Sequence, residues 1–221
     1  MIFSEVLPLV NTAEEAILLA LLIYRGVAHR LPVFCFYLAW NLGSSALIMP
    51  MFHVLSSNRY LRLYMATFTL DALFELAVLA ELGWVALRYS RVRAPRRLAL
   101  LLLLVLATLL VWSLAKWAAP QNIPRLYQFF VHQQQAVTIF RVAVLLTIAW
   151  WSWLQDLHWP EEALWVAAGI GFYSIVELGV SIAHTRQSYG GSYQHLDDVM
   201  FFSYLGTLNY WVLMFAIKKE K

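Results

Sequence analysis

Residues 163–183 read ALWVAAGIGFYSIVELGVSIA, an apolar run in which Glu177 is the one charged side chain. A helix that crosses the roughly 30 Å hydrocarbon core of a bilayer needs about 20 mostly apolar residues. The run has this length, so we predict a transmembrane helix here. Its continuous apolarity favours a helix over the short alternating segments that are typical of outer-membrane barrels.

Six other apolar runs of similar length are spread along the chain. We therefore predict spans at about residues 7–24, 31–53, 61–87, 98–117, 126–154, 163–183 and 199–217. These spans leave no room for a soluble domain, so we expect residues 1–221 to form a single transmembrane domain. The predicted fold class is all-α, a polytopic membrane bundle of seven transmembrane helices.

The composition agrees with this fold class. The chain is 62% hydrophobic and 13% charged, whereas soluble domains are roughly 45–50% apolar and 25% charged. This excludes a disordered chain, a disulfide-stapled scaffold and a soluble nucleic-acid binder, so we expect no nucleic-acid partner. Cys35 is the only cysteine, and the six histidines include no close pair at ligand spacing on a helix. We therefore predict neither a metal nor a cofactor.

The basic residues predict an orientation, because loops rich in Lys and Arg stay in the cytoplasm. Ten of them fall on one side of the predicted bundle: Arg25, Arg30, Arg88, Arg91, Arg93, Arg96, Arg97, Lys218, Lys219 and Lys221. Five fall on the other side: Arg59, Arg62, Lys116, Arg125 and Arg186. We expect the N-terminus outside and the C-terminus in the cytoplasm. The first residues show no basic segment of the kind that opens a signal peptide.

Polar side chains inside the predicted spans are the candidates for function, because a charge at membrane depth costs at least about 2.5 kcal/mol. The candidate ligand- or ion-binding residues are Glu14, Glu15, Asp71, Glu75, His132, Gln135, Arg141, Glu177 and Asn209. Five of these are carboxylates, while Arg141 is the only certain cation. The carboxylates cannot all be ionised in a dry core, so several are protonated, the site is wet, or a cation belongs there.

Helical spacing suggests which of these groups meet. Asp71 and Glu75 lie one turn apart on one face, at about the depth of Arg141. We expect Arg141 to pair with Glu75 or Asp71, either within a binding site or only to fix helix packing. Glu177 lies on a polar face of its own helix, which forms either the wall of an outward-facing vestibule or a hydrogen-bonded packing contact. The glycines of this helix, Gly169, Gly171 and Gly179, are expected to allow close helix packing.

Two short segments and one carboxylate suggest a relationship. Residues 31–37 (LPVFCFY) open the second span, residues 60–64 (YLRLY) open the third, and Glu81 lies near its inner end. In these features the first half of the chain resembles uncharacterised bacterial seven-helix membrane proteins. The resemblance implies a multi-pass protein of the bacterial inner (plasma) membrane and carries no activity.

The leading functional hypothesis is an acidic cavity that binds a cation, a proton or a small cationic or amphipathic ligand. The cavity is expected to open outward between the first, third, fifth, sixth and seventh helices, in a carrier or a sensor. One alternative is a non-catalytic scaffold or a subunit of a larger complex. Another is a lipid-modifying enzyme that uses the carboxylates as general acid and base. The expected partners are the lipid bilayer, the small ligand, and a membrane protein or a second copy of the chain.

Overall fold

The computed structural model describes residues 2–88, 125–154, 156, 159–186 and 192–217. Six α helices are present in these residues: α1 (Ile2–Tyr24), α2 (Pro32–Val54), α3 (Ser57–Arg88), α4 (Arg125–Leu154), α5 (Glu161–Arg186) and α6 (Ser192–Ile217). No strand occurs among them, which confirms the all-helical class. The predicted span at 98–117 lies outside the described residues, so the count of seven helices and the orientation stay predictions.

Four of the helices are long and apolar enough to cross a membrane. The qualifying segments are Arg59–Ala86, Gln135–Trp153, Glu161–Ala183 and Asp198–Ile217, and α2 carries a shorter apolar stretch at Pro32–Ile48. Only 22–33% of each long segment is buried within the protein. Most of their apolar side chains therefore face outward, where lipid rather than water is the medium that accepts them. These four helices indicate a membrane protein.

The contacts of the chain group into two compact units, and residues 1–81 with 208–221 form the first. In this unit α1 packs against α2. The buried side chains of its core include Leu18, Leu22, Phe34, Leu38, Leu208 and Phe215. Phe34 of α2 meets Trp211 of α6 edge to face, with ring centroids 5.1 Å apart. Aromatic pairs favour this arrangement, which fixes the end of α6 against α2.

The turn between α1 and α2 depends on one glycine. Gly26 has φ +67°, in the left-handed region that side chains with a Cβ rarely adopt. A short 3₁₀ helix, Val27–His29, follows it and leads into α2. Arg25, directly before the glycine, donates from Nη2 to the Ala216 carbonyl at 2.8 Å. A cation at the carbonyl end of a helix is favourable, so this bond holds the turn against the end of α6.

The second unit spans residues 82–207, and α4 and α5 pack together in it as an antiparallel hairpin. Its buried side chains include Val144, Ile148, Val166 and Val180. At the turn of the hairpin, Trp159 donates from Nε1 to the Ser152 hydroxyl at 2.6 Å. Asp156 in this turn has φ 48°, a left-handed conformation that Asp tolerates better than most residues.

The expected close packing at the glycines is wrong for Gly171 and Gly179. A Cβ built at either position meets no heavy atom within 4 Å. Small residues let helices approach only where a neighbouring backbone comes near, and the described residues place none there. Gly171 instead borders a cavity, and Gly179 is exposed.

Candidate functional site

The predicted site residues divide between the two units. The first unit holds Glu14, Glu15, Asp71, Glu75 and Asn209, and the second holds Gln135, Arg141 and Glu177. His132 belongs to α4, but its side chain lies outside the described part of the chain. The cavity expected between five helices is therefore still a prediction, whereas the contacts within each unit are defined.

Two carboxylates of α3 receive hydrogen bonds from aromatic side chains of α2. Trp40 donates from Nε1 to Asp71 Oδ1 at 2.5 Å, and the Tyr37 hydroxyl lies 3.3 Å from Glu75 Oε1. The donors are three residues apart and the acceptors four, so both pairs form between facing turns of two antiparallel helices. Tyr and Trp supply an apolar body and one polar tip, which suits a donor at membrane depth.

A third carboxylate of α3, Glu81, caps the start of α2. The helix begins at Pro32, whose ring removes the first N–H. The N–H groups of Val33 and Phe34 donate to the two carboxylate oxygens of Glu81, each at 3.0 Å. The N–H of Cys35 already bonds within the chain, to the carbonyl four residues earlier. Every N–H of the first turn therefore has an acceptor, and the negative charge lies at the positive end of the helix dipole.

The remaining acidic candidates of the first unit lie on α1. The Asn209 amide nitrogen lies 3.2 Å from both carboxylate oxygens of Glu14. This bond joins α1 to α6 and places two predicted site residues in direct contact. Glu15 is 4% exposed and so is buried deeply for a carboxylate. Glu15 is thus shielded from the surroundings, whereas Glu14 is half-buried and its bond to Asn209 is exposed.

The second unit contains a buried ion pair. Arg141 Nη2 lies 2.6 Å from Glu177 Oε2, and the two side chains are 5% and 9% exposed. The Thr138 hydroxyl donates to the other carboxylate oxygen at 3.1 Å. The Arg141 guanidinium also lies 5.7 Å from the centre of the Tyr173 ring, within the range of a cation–π contact. Arg141 and Thr138 thus hold the Glu177 carboxylate, and Tyr173 contacts the guanidinium.

The carboxylate that Arg141 contacts within its own unit is Glu177, which was not the expected partner. The expected pairing with Asp71 or Glu75, which belong to the other unit, stays a prediction. Helices that are consecutive in the chain pack as an antiparallel hairpin, and this brings the middle of α5 to the middle of α4. Of the two expectations for Glu177, the hydrogen-bonded contact with a neighbouring helix is confirmed. The outward vestibule stays a prediction.

Two further polar atoms are buried beside the ion pair. Gln135 Oε1 and Ser174 Oγ have no hydrogen-bond partner among the described residues, and their side chains are 4% and 0% exposed. Gln135 lies one turn from Thr138 on α4, and Ser174 one turn from Glu177 on α5. Buried polar atoms normally have a partner, so each marks a place that accepts a water molecule or a ligand atom.

A cavity of about 490 Å³ lies between α4 and α5, on the side of the ion pair nearer to the turn of the hairpin. Its walls are mainly apolar and include Leu145, Ile148, Leu164, Gly171 and Ile175. Its end at the turn carries the polar groups of Ser152, Trp153, Asp156 and Trp159. The volume and this combination of walls and polar groups are those of a small-molecule site.

No group of three or more His, Cys, Asp or Glu side chains in the described residues is arranged to hold a metal ion. No family model, curated protein or solved structure matches the chain.

The sequence interpretation missed Tyr37 and Trp40 as partners of the α3 carboxylates. A signal was present, because the two aromatic residues with polar tips lie three apart in an apolar helix, a spacing that matches one helical turn. The cavity between α4 and α5 was also missed, since Gly171, which borders it, was interpreted as a packing contact.

Proposed function

We propose that the protein binds protons or a small cation at the carboxylates of α3, as a carrier or a sensor in the bacterial inner membrane. The seven-span arrangement with its N-terminus outside is part of this proposal. Three carboxylates, Asp71, Glu75 and Glu81, lie along α3 and bond to α2. We call them the α3 carboxylates.

The observation that carries the proposal is the chemistry of their donors. Asp71 receives its bond from an indole N–H and Glu81 receives its two from backbone N–H groups, all of them uncharged. Uncharged donors stabilise a carboxylate but do not cancel its charge. In a medium of low polarity the remaining charge favours uptake of a proton or a cation.

The spacing of the α3 carboxylates supports movement as well as binding. Asp71 and Glu81 are ten residues apart, which corresponds to about 15 Å along a helix, with Glu75 between them. This is about half of the roughly 30 Å hydrocarbon core. Ionisable residues in a row at membrane depth are typical of proton and ion pathways.

The test measures proton and cation binding to purified protein in nanodiscs. The thermal unfolding midpoint is recorded between about pH 4 and pH 9, with and without sodium, potassium and small amines, for the wild type and for Asp71→Asn. Asn retains an acceptor for the Trp40 N–H and removes the charge. We expect the wild-type midpoint to respond to pH or to one cation, and Asp71→Asn to lose most of this response.

Asp198→Asn is the matched control. Asp198 is an exposed carboxylate at the edge of a spanning segment, so its replacement should leave the response unchanged. A midpoint that ignores pH and every cation, or an Asp71→Asn variant that responds like the wild type, contradicts the proposal.

A scaffold or subunit role is the second candidate. The observation in its favour is that Asp71, Glu75 and Glu177 each bond to a side chain of a neighbouring helix. Such bonds also serve to join helices. On this reading Asp71→Asn lowers stability equally at every pH and in every cation, and a stoichiometric partner copurifies with the protein.

A further inference from the structure

The residues that line the cavity between α4 and α5 include neither the α3 carboxylates nor Glu177. The cavity extends from Val142, beside the ion pair, to Trp153 at the end of α4. Eleven residues of helix correspond to about 17 Å, roughly the depth of one leaflet of the hydrocarbon core. A cavity of this length with apolar walls fits an extended alkyl chain.

Small side chains on α5 create the space. Ala167, Ala168 and Gly171 border the cavity, and a Cβ at Gly171 would meet no atom within 4 Å. Longer side chains at these positions would fill the gap between the helices. The cavity therefore follows from the sequence of α5 and is not a packing defect at one residue.

The end of the cavity at the turn has the chemistry of a cation site. Asp156 lies there with Trp153 and Trp159. The Trp159 N–H is engaged by Ser152, so its indole is held in place. Aromatic faces beside a carboxylate attract alkylammonium groups through cation–π and charge contacts. Tryptophans are also enriched at the membrane interface, where the head group of an amphiphile would lie.

We infer that this cavity binds a single-chain amphiphile with an ammonium head group, the alkyl chain between α4 and α5 and the ammonium beside Asp156. Charge complementarity selects the cation, because Asp156 is the one charged residue that lines the cavity in the part of the chain that the structure describes. The inference does not depend on the proposed function, since no α3 carboxylate borders the cavity.

The test uses the purified full chain in nanodiscs and dodecyltrimethylammonium as the probe. The unfolding midpoint is measured against probe concentration for the wild type, Gly171→Leu, Gly179→Leu and Asp156→Asn. Both glycines lie in α5 with open space at their Cβ positions, but only Gly171 borders the cavity. Gly179→Leu therefore controls for the effect of a leucine on the helix.

We expect a saturable rise of the midpoint for the wild type and for Gly179→Leu, and none for Gly171→Leu. Asp156→Asn should need about tenfold more probe, because Asn tolerates the left-handed backbone but lacks the charge. If Gly171→Leu does not fold, the comparison of Asp156→Asn with the wild type still tests the inference. Tetramethylammonium, which lacks the chain, should have no effect.

Two results would overturn the inference. Equal responses of all four proteins would mean that the probe acts through the bilayer. An equal response of the wild type to dodecanoate or dodecanol would mean that the head group is not recognised.

Discussion

Replacing Glu177 by Gln should lower the free energy of unfolding by about 3–5 kcal/mol. The change removes the carboxylate that faces Arg141 at 2.6 Å, in a place where the two side chains are 5% and 9% exposed. Two unit charges about 4 Å apart interact by about 4 kcal/mol at an effective dielectric constant near 20. The guanidinium stays buried after the substitution, so its desolvation is no longer offset by this partner.

The stability of a double variant that lacks both charges is predicted by the same argument. Arg141→Met with Glu177→Leu removes both charges and keeps similar volumes, so we expect it to be more stable than either single variant. Thr138→Val should cost only about 1 kcal/mol, because it removes one neutral donor from the carboxylate.

The assay is equilibrium unfolding in mixed micelles, with Arg141→Met and Glu177→Leu also measured singly so that the double-mutant cycle closes. Asp198→Asn is the control, because it removes a carboxylate that is exposed, and its effect should be close to zero. A loss below about 1 kcal/mol for Glu177→Gln, or a double variant whose loss of stability equals the sum of the two single losses, would contradict the prediction.

Three other substitutions are tested by the same assay. Glu81→Gln should lower the free energy of unfolding by about 1–3 kcal/mol. The amide removes the charge, and its NH2 group donates where a carboxylate oxygen had accepted from the Val33 or Phe34 N–H. An unchanged free energy of unfolding would show that the cap contributes nothing. Gly26→Ala should cost about 1–2 kcal/mol through its left-handed backbone alone, since a Cβ there meets no atom within 4 Å. Gly179→Ala should instead raise the free energy of unfolding by about 0.5–1 kcal/mol, because Gly179 lies inside a helix. Changes of the same sign for Gly26→Ala and Gly179→Ala would contradict the role of backbone conformation.

The helices themselves were largely predictable. The runs at about 31–53 and 126–154 match α2 and α4 within one residue at each end. The runs at about 61–87 and 199–217 are shorter than α3 and α6, which begin at Ser57 and Ser192. Apolar runs record the depth of the hydrocarbon core, whereas backbone hydrogen bonds continue through the polar interface.

The partners of the polar residues were much less predictable. Helical periodicity places Thr138 and Arg141 on one face of α4, and the structure shows that face against Glu177. It could not choose between Glu177 and Asp71 as the partner, because the helical period defines a face and says nothing about which helix packs on it. The cavity was beyond the sequence for a related reason, since small residues produce either a close contact or a gap according to the position of the neighbouring helix.

The cap on α2 has a consequence for synthesis. Glu81 follows Phe34 by 47 residues, so the ribosome makes the start of α2 well before the carboxylate that completes it. Until α3 enters the bilayer, water or the insertion machinery must satisfy the N–H groups of Val33 and Phe34, because lipid tails offer no acceptor. The start of α2 is therefore completed only when α3 is in place. A ribosome that stalls between them leaves a nascent chain in which the Val33 and Phe34 N–H groups lack the Glu81 acceptor.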